Sequence, residues 1–232
     1  MPASLFSRGL MSLLSLAIPL AFAQTPAAET ETAEVATEAA PEVETGPKTY
    51  TLDASQSRLF VLVTYDRKAT IPGHDHVVAA TTFKGTATWD PSDPTACKVS
   101  IAFPVTALEV DPGSSRSWAG LDGTTGDGDK RKIKDNFLGK YQLEGDKFPE
   151  ISYQSTSCSG EGPQFQVKGN LTIHGVTAPV TADMTIEAAD TFAAKGTFRT
   201  DHSQWGMKPY SALLGALKNA PELAFTVDVK GR

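Results

Sequence analysis

The sequence lacks the common motifs of catalytic and metal-binding sites. It has only two cysteines and four histidines in 232 residues, and no Gly-x-Ser-x-Gly nucleophile elbow. Both cysteines fall in predicted strands rather than in a reactive loop. Asp122, Asp127 and Asp129 lie in a loop but lack the Asp-x-Asp-x-Asp-Gly order of a calcium-binding loop. We therefore predict a protein that is not an enzyme and that needs no cofactor.

The chain also has no excess of positive charge, since its formal net charge is −6. Residues 1–23 carry +1 and residues 24–47 carry −6, which leaves −1 for residues 48–232. Proteins that hold nucleic acid through its phosphates need a basic surface. The near-neutral charge of residues 48–232 therefore argues against a nucleic-acid partner.

No apolar run reaches the ~20 residues that a membrane-spanning helix requires. The first 23 residues instead have the pattern of a cleaved export signal. Arg8 is followed by the apolar stretch Leu10–Phe22, which contains Pro19, and Ala21-Phe22-Ala23 matches an A-x-A cleavage site before Gln24. We predict a signal peptide over residues 1–23 and no membrane span.

Residues 24–47 contain six glutamates and no aromatic or basic residue. Such a segment cannot bury enough apolar surface to offset its ordering entropy, so we predict a disordered acidic linker. An acidic arm that docks on a partner is the alternative. Residues 48–232 show no repeat or second linker, and they are long enough for one domain with its own core.

The pattern of residues 48–232 predicts an all-β domain. From Phe165 to Glu187, apolar and polar residues alternate in two runs separated by His174-Gly175-Val176-Thr177, which predicts a long antiparallel hairpin. About eight or nine such strands, without a βαβ rhythm, favour a closed antiparallel barrel over a sandwich. Helical spacing predicts short helices at Lys130–Leu138 and Ser211–Lys218.

The two cysteines leave a disulfide open. Export permits a bond between Cys97 and Cys158, and both residues lie at ends of predicted strands. However, Cys158 has the opposite parity to Ile151 and Tyr153 in its own strand, which points it away from the core. A β-bulge in this strand, between Tyr153 and Cys158, would reconcile the two observations.

Five stretches resemble the YceI-like family. The most specific is VKGNLTIHGVTAPVTADM at residues 167–184; the others are FPEISYQST at 148–156, DNFL at 135–138, HSQWGM at 202–207 and LDASQSRLFVLV at 52–63. Together they cover roughly residues 49–230. The resemblance implies a lipocalin-like antiparallel barrel of about eight strands with one or two short helices. It also implies export to the bacterial periplasm, a polyisoprenoid or other long-chain amphiphile as ligand, and no established catalytic mechanism.

Two positions depart from the family's pattern. His202 stands where the family commonly has an arginine, and Gln56 stands where it usually has a histidine. If these positions hold a polar headgroup, the ligand of this chain differs from that of its relatives. The sequence leaves the oligomeric state open, a homodimer included.

Candidate ligand-binding residues follow from the predicted inward faces and from the resemblance. A hollow barrel would present them to a ligand, whereas a filled one would use them as core. The apolar candidates are Phe60, Leu62, Phe103, Phe137, Phe165, Val167, Leu171, Trp205 and Phe225, and the polar candidates are His74, His76 and His202.

The Gly73-His74-Asp75-His76 motif supports a second hypothesis. In an extended segment both imidazoles project to one face with Asp75 opposite. With a third ligand such as His202 or His174 they could bind a metal, which would make this a metal- or cofactor-binding periplasmic protein. Contact with a ligand headgroup and a structural role are the alternatives. His174 itself is predicted to stabilise the hairpin turn by a hydrogen bond.

Overall fold

The fold is that of a computed structural model. The structure describes residues 46–232. The predicted signal peptide, residues 1–23, lies outside the described residues, as does all but the last two residues of the predicted linker, residues 24–47. The described chain is mostly strand and forms one curled antiparallel sheet. This confirms the predicted all-β class.

Residues 46–232 contain twelve strands. In chain order these are β1 (Lys48–Thr51), β2 (Arg58–Tyr65), β3 (His76–Ala80), β4 (Lys84–Trp89), β5 (Lys98–Pro104), β6 (Leu108–Val110), β7 (Glu150–Glu161), β8 (Gln164–Ile173), β9 (Val176–Ala188), β10 (Phe192–Asp201), β11 (Ser211–Ala212) and β12 (Leu217–Gly231).

Two α-helices lie in the same residues, α1 (Ser115–Trp118) and α2 (Asp127–Leu138). The second confirms the helix predicted from Lys130 and begins three residues earlier. The described residues also contain five short 3-10 turns, at Ala54–Gln56, Pro94–Ala96, Val105–Ala107, His202–Trp205 and Leu213–Gly215. No helix in the part of the chain that the structure describes is both long and apolar enough to cross a membrane.

The sheet closes on itself through its longest strand. Its order is β1-β4-β5-β7-β8-β9-β10-β12-β2-β3-β6, with β11 paired to β12. Leu52, which follows β1, bridges Gly231 at the end of β12, and Thr51 and Arg232 exchange backbone hydrogen bonds of 2.9 and 3.1 Å. The strands from β1 round to β12 therefore form a ring of eight, as expected for a lipocalin-like barrel.

The predicted hairpin is formed by β8 and β9. Ten pairs in continuous register join them, from Gln164 opposite Thr185 to Ile173 opposite Val176. His174 and Gly175 make the two-residue turn with φ of 52° and 70°, the left-handed conformation that matches the twist of paired strands. Burial alternates along both strands, with the predicted apolar residues inward.

The helix predicted at Ser211–Lys218 is wrong. These residues form a second hairpin, in which Ser211 pairs with Lys218 and Ala212 with Leu217. Leu213, Leu214 and Gly215 all have positive φ, of 51°, 55° and 90°, so the chain reverses where a helix would continue. A run of eight residues is too short to be stable as a helix without a packed face, and pairing with the main sheet decides its conformation.

The structure resolves the question of the cysteines. Cys97 and Cys158 form a disulfide with their Cα atoms 6.0 Å apart. A register shift between Ser155 and Ser157 interrupts the pairing of β7 with β8. This bulge turns Cys158 to the same face as Ile151, because the extra residue reverses the parity of the rest of the strand.

Candidate ligand-binding site

The barrel contains an apolar cavity of about 230 Å³. Its walls are inward side chains from most of the ring and from α2, and none of them is charged. Among the lining residues, only Gln142, Tyr153, His202 and Thr226 carry a polar side-chain group. The remaining walls are aliphatic and aromatic, so the cavity suits a hydrocarbon chain.

Seven of the predicted ligand-binding residues contribute to the wall of this cavity. They are Phe60, Phe103, Phe137, Val167, Leu171, His202 and Phe225. Phe225 also stacks on Phe198 of the neighbouring strand, with ring centroids 4.6 Å apart. The fold therefore brings residues from β2, β5, β8, β12, α2 and the His202–Trp205 turn to one cavity.

The strand β2 presents more residues to the cavity than the sequence suggested. Phe60 and Leu62 pack with Val77 and Ala79 in a separate cluster, where the Phe60 ring centroid lies 6.1 Å from that of Trp118. Phe60 also borders the cavity but Leu62 does not, and Leu59, Val61 and Val63 line it as well. Because the segment RLFVLVTY is apolar on both faces, alternation alone could not decide which face is inward.

Phe165 and Trp205 are buried but belong to the packed core rather than to the cavity wall. Phe165 meets the Trp89 ring edge-on, at a centroid distance of 4.8 Å. Trp205 has no exposed surface, and its indole Nε1 donates a hydrogen bond of 3.0 Å to the Leu171 carbonyl. Parity predicts that both are inward but cannot predict where packing leaves space.

A second cavity, of about 290 Å³, adjoins the first. It is lined by His74, His76, Asn136, Tyr210 and Asn219, among others, and it shares Phe137 and Gln142 with the apolar cavity. Its polar groups are imidazoles, amides and one phenol, with no lysine, arginine or carboxylate among the lining residues. One end of the apolar cavity is therefore bordered by hydrogen-bonding side chains that include no lysine, arginine or carboxylate.

A buried carboxylate fixes one of these imidazoles. The Asp111 side chain has no exposed surface, and the His76 Nδ1 lies 2.8 Å from its Oδ2. The backbone N–H of Val77 donates to Oδ1 at 2.8 Å, and the Thr125 hydroxyl donates to Oδ2 at 2.6 Å. Arg116 adds a fourth donor at 3.2 Å. Since a carboxylate only accepts, the Nδ1 of His76 carries a proton, which leaves Nε2 to face other partners.

These hydrogen bonds also set the ionisation of Asp111. Burial acts to raise the pKa of the carboxyl, but the hydrogen bonds from His76, Thr125 and Val77 outweigh it and lower the pKa from 3.8 to about 2. Asp111 is therefore ionised at neutral pH. No pattern in the sequence singles out Asp111, because nothing local shows that β3 and the end of β6 meet there.

His202 is the most deeply buried of the polar residues that line the apolar cavity. It is 3% exposed, and its Nδ1 lies 2.7 Å from the Pro221 carbonyl oxygen, to which it donates. Burial lowers the pKa of this imidazole below 6.5, against the opposing effect of the Pro221 hydrogen bond. His202 therefore presents a neutral imidazole to the cavity.

The structure does not bring the histidines together as metal ligands. His74 and His76 do face the same way, with ring centroids 6.4 Å apart, while Asp75 pairs with Arg67 on the other side at 2.6 Å. Within residues 46–232, no group of three or more His, Cys, Asp or Glu side chains is arranged to hold a metal ion.

His174 stabilises the β8–β9 turn as predicted. Its Nδ1 lies 3.1 Å from the Trp205 carbonyl and its Nε2 lies 3.3 Å from a carboxylate oxygen of Glu144. The ring therefore joins the turn to two other segments.

A closed antiparallel ring around an apolar cavity defines a lipocalin-like barrel. The chain belongs to the YceI-like domain family, whose model matches residues 50–230. Protein YceI of Salmonella arizonae and of Salmonella newport are each 32% identical to it over 101 residues, which is 44% of this chain and 44% of each relative. The match thus spans less than half the length of these curated relatives.

Solved structures show the same fold at low identity. BcnA of Burkholderia cenocepacia superposes with a TM-score of 0.58 at 16% identity, covering 78% of this chain and 99% of that one. A polyisoprenoid-binding domain from Saccharophagus degradans, implicated in plant cell wall breakdown, superposes with a TM-score of 0.52 at 10% identity, covering 79% and 97%. The barrel architecture is therefore common to proteins of very different sequence.

Proposed function

We propose that this protein binds a polyisoprenoid or another long-chain amphiphile and carries it in the periplasm. The observation that carries the proposal is an apolar cavity in the barrel without a charged lining residue. Burial of hydrocarbon contributes roughly 25 cal/mol per Å² removed from water, so a long apolar chain needs few specific contacts. Membership of the YceI-like family and the fold shared with a polyisoprenoid-binding domain support the same ligand class.

The second cavity would hold the polar end of this ligand. A phosphate or pyrophosphate head is generally bound by arginine, lysine or clustered N–H groups, and no lysine or arginine is among the lining residues of this cavity. Imidazoles, amides and the Tyr210 phenol instead match a hydroxyl or carbonyl. We therefore infer an uncharged polar head, with the apolar chain passing Phe137 into the barrel.

A matched pair of variants on β9 tests the binding site. Ala182 is buried and lines the cavity, whereas its neighbour Thr181 is exposed on the opposite face. Ala182→Phe should fill the cavity and weaken binding of a long-chain polyprenol by at least about tenfold, equivalent to about 1.4 kcal/mol. Thr181→Phe should bind as the wild type does. Equal binding by both folded variants would show that the ligand does not enter the barrel.

The proposed location rests on the export signal predicted at residues 1–23. Cell fractionation followed by intact-mass measurement would test it: a periplasmic protein whose sequence starts at Gln24 is the expected result. A cytoplasmic protein that retains residues 1–23 would contradict it. Native mass spectrometry of the same sample, with organic extraction, would show whether a lipid copurifies.

A further inference from the structure

The hairpin formed by β11 and the start of β12 has an unusual tip. Leu213 and Leu214 both adopt left-handed backbone conformations, with φ of 51° and 55°. A branched L side chain rarely takes this conformation, which tight hairpins normally give to glycine, asparagine or aspartate. The sequence thus places two leucines where hairpin stability favours other residues.

The same two leucines are exposed to solvent. Leu213 is 65% exposed and Leu214 is fully exposed, more than any other large apolar residue of the described chain. Ile71 is 39% exposed and lies beside them, since its N–H donates to the Ala216 carbonyl at 2.8 Å. We call Ile71, Leu213 and Leu214 the apolar tip. Unfavourable backbone geometry together with exposed apolar side chains indicates a selected function rather than a structural role.

The apolar tip borders the second cavity. Pro72, which follows Ile71, lines that cavity, as do Tyr210 and Leu217 from the two sides of the hairpin. This cavity shares Phe137 and Gln142 with the apolar cavity, so the tip stands beside the cavity that adjoins the one in the barrel.

The charges around the apolar tip are predominantly positive. The flanking segments 64–75 and 207–219 carry four cations, Arg67, Lys68, Lys208 and Lys218, against two carboxylates, Asp66 and Asp75. Lys218 pairs with Asp66 at 3.0 Å and Arg67 with Asp75 at 2.6 Å. Lys68 and Lys208 enter no ion pair within residues 46–232. This part of the surface therefore favours an anionic partner.

We propose that the apolar tip is a membrane-docking site that inserts into a lipid bilayer containing anionic lipid. The strength of membrane binding scales with the apolar area buried in the bilayer and with the attraction of cations to anionic lipid, so a small apolar tip beside cations favours weak, reversible binding. A stable protein complex instead requires about 1,000 Å² or more of buried surface, which a four-residue turn does not provide. The proposal extends the carrier function to the step in which ligand passes between barrel and membrane, and it is tested separately from ligand binding.

The experiment measures binding of the purified protein, starting at Gln24, to vesicles of phosphatidylethanolamine with a minor fraction of phosphatidylglycerol. The Leu213→Asn/Leu214→Asn variant removes the apolar side chains but keeps the turn, because asparagine tolerates the left-handed conformation. We expect its partition coefficient to fall at least about tenfold. Val176→Thr, which changes another exposed apolar residue (39% exposed), should keep the wild-type value.

Two outcomes would overturn the proposal. One is wild-type vesicle binding by the double asparagine variant, and the other is an equal loss in Val176→Thr. A second variant, Leu214→Trp, should show a blue-shifted difference emission on addition of vesicles, and an unchanged spectrum would also count against insertion. Binding of a detergent-solubilised polyprenol should be equal in wild type and in the double variant. Failure of that binding in both, with vesicle binding intact, would overturn the carrier function but not the docking site.

Discussion

Asp111 shows how one residue can organise a site that lies elsewhere in the sequence. It has a φ of 44°, and its buried carboxylate accepts hydrogen bonds from β3, from Arg116 in α1 and from Thr125 before α2. Arg116 in turn donates to the Asp75 and Asp122 carbonyls. One negative charge therefore holds together the segments that surround the His74–His76 end of the second cavity.

We predict that Asp111→Asn destabilises the protein by about 1–3 kcal/mol. The amide nitrogen of asparagine is a donor, so it cannot accept the hydrogen bonds that His76, Thr125 and Arg116 make to the carboxylate. Urea unfolding would measure the change. Asp190→Asn is the control, because the Asp190 side chain is fully exposed, and its free energy of unfolding should stay within about 0.5 kcal/mol of wild type.

The same carboxylate predicts a pH dependence in acid. Its pKa is lower in the folded protein than its ordinary value of 3.8, so the folded state binds fewer protons than the unfolded state there. The stabilisation is therefore complete above pH 3.8 and is lost as pH falls toward about 2. Between these pH values the stability of Asp111→Asn should fall less steeply than that of wild type, and parallel curves would contradict the assignment.

His202 predicts a pH effect nearer to neutrality. Because burial lowers its pKa below 6.5, the neutral form is favoured by folding. This contribution is present above pH 6.5 and is lost as pH falls through the folded pKa. An NMR titration should give the His202 imidazole a pKa below 6.5, with its signals assigned by their absence from His202→Gln. A value at or above 6.5 would show that the ring is not buried as described.

At the scale of the elements, the β8–β9 turn depends on Gly175. Its φ is 70°, and a Cβ at this position would overlap the Phe148 ring, which packs edge-on against His174 at 4.8 Å. We predict that Gly175→Ala costs about 1–3 kcal/mol, from the left-handed backbone and from displacement of the ring. Thermal unfolding would measure it. Gly128→Ala in α2, with no atom within 4 Å of its added Cβ, should leave stability unchanged or slightly raised.

The elements that the sequence predicts well are those whose conformation is set by their own pattern. The β8–β9 hairpin combines alternation on both arms with a turn that favours positive φ, so local and tertiary preferences agree. The segment Ser211–Lys218 has no such agreement: its apolar residues fit helical spacing, while pairing with β12 makes it a hairpin. The short helix α1 could not be predicted, because Ser115–Trp118 lies in a segment rich in glycine and serine and has no helical spacing of apolar residues.

The candidate site was predictable in kind but not residue by residue. Alternation gave inward residues such as Phe103, Val167 and Leu171, because one face of each strand must be buried. Alternation could not separate residues of the cavity wall, such as Leu171, from residues of the packed core, such as Phe165. Nor could it find Asp111, whose role arises only when distant segments meet.

At the scale of the whole molecule, the disulfide is the one covalent link across the sheet in the described chain. It joins residues 61 positions apart, so its loss should release a large loop in the unfolded state. We predict that Cys97→Ala/Cys158→Ala lowers the free energy of unfolding by about 2–4 kcal/mol. Dithiothreitol should lower the melting temperature of wild type and leave that of the double variant unchanged; an effect on both would point to another cause.

The closure of the ring between Leu52 and Gly231 has a practical consequence for experiments on solid supports. The strand β12 runs fifteen residues from Leu217, beside the second cavity, to Gly231, a path of roughly 50 Å at about 3.3 Å per residue. Since β1 lies beside the far end of this strand, Lys48 is about a strand length from the second cavity. A sensor surface or fluorescent reporter coupled just ahead of Lys48 would leave the second cavity facing the solution.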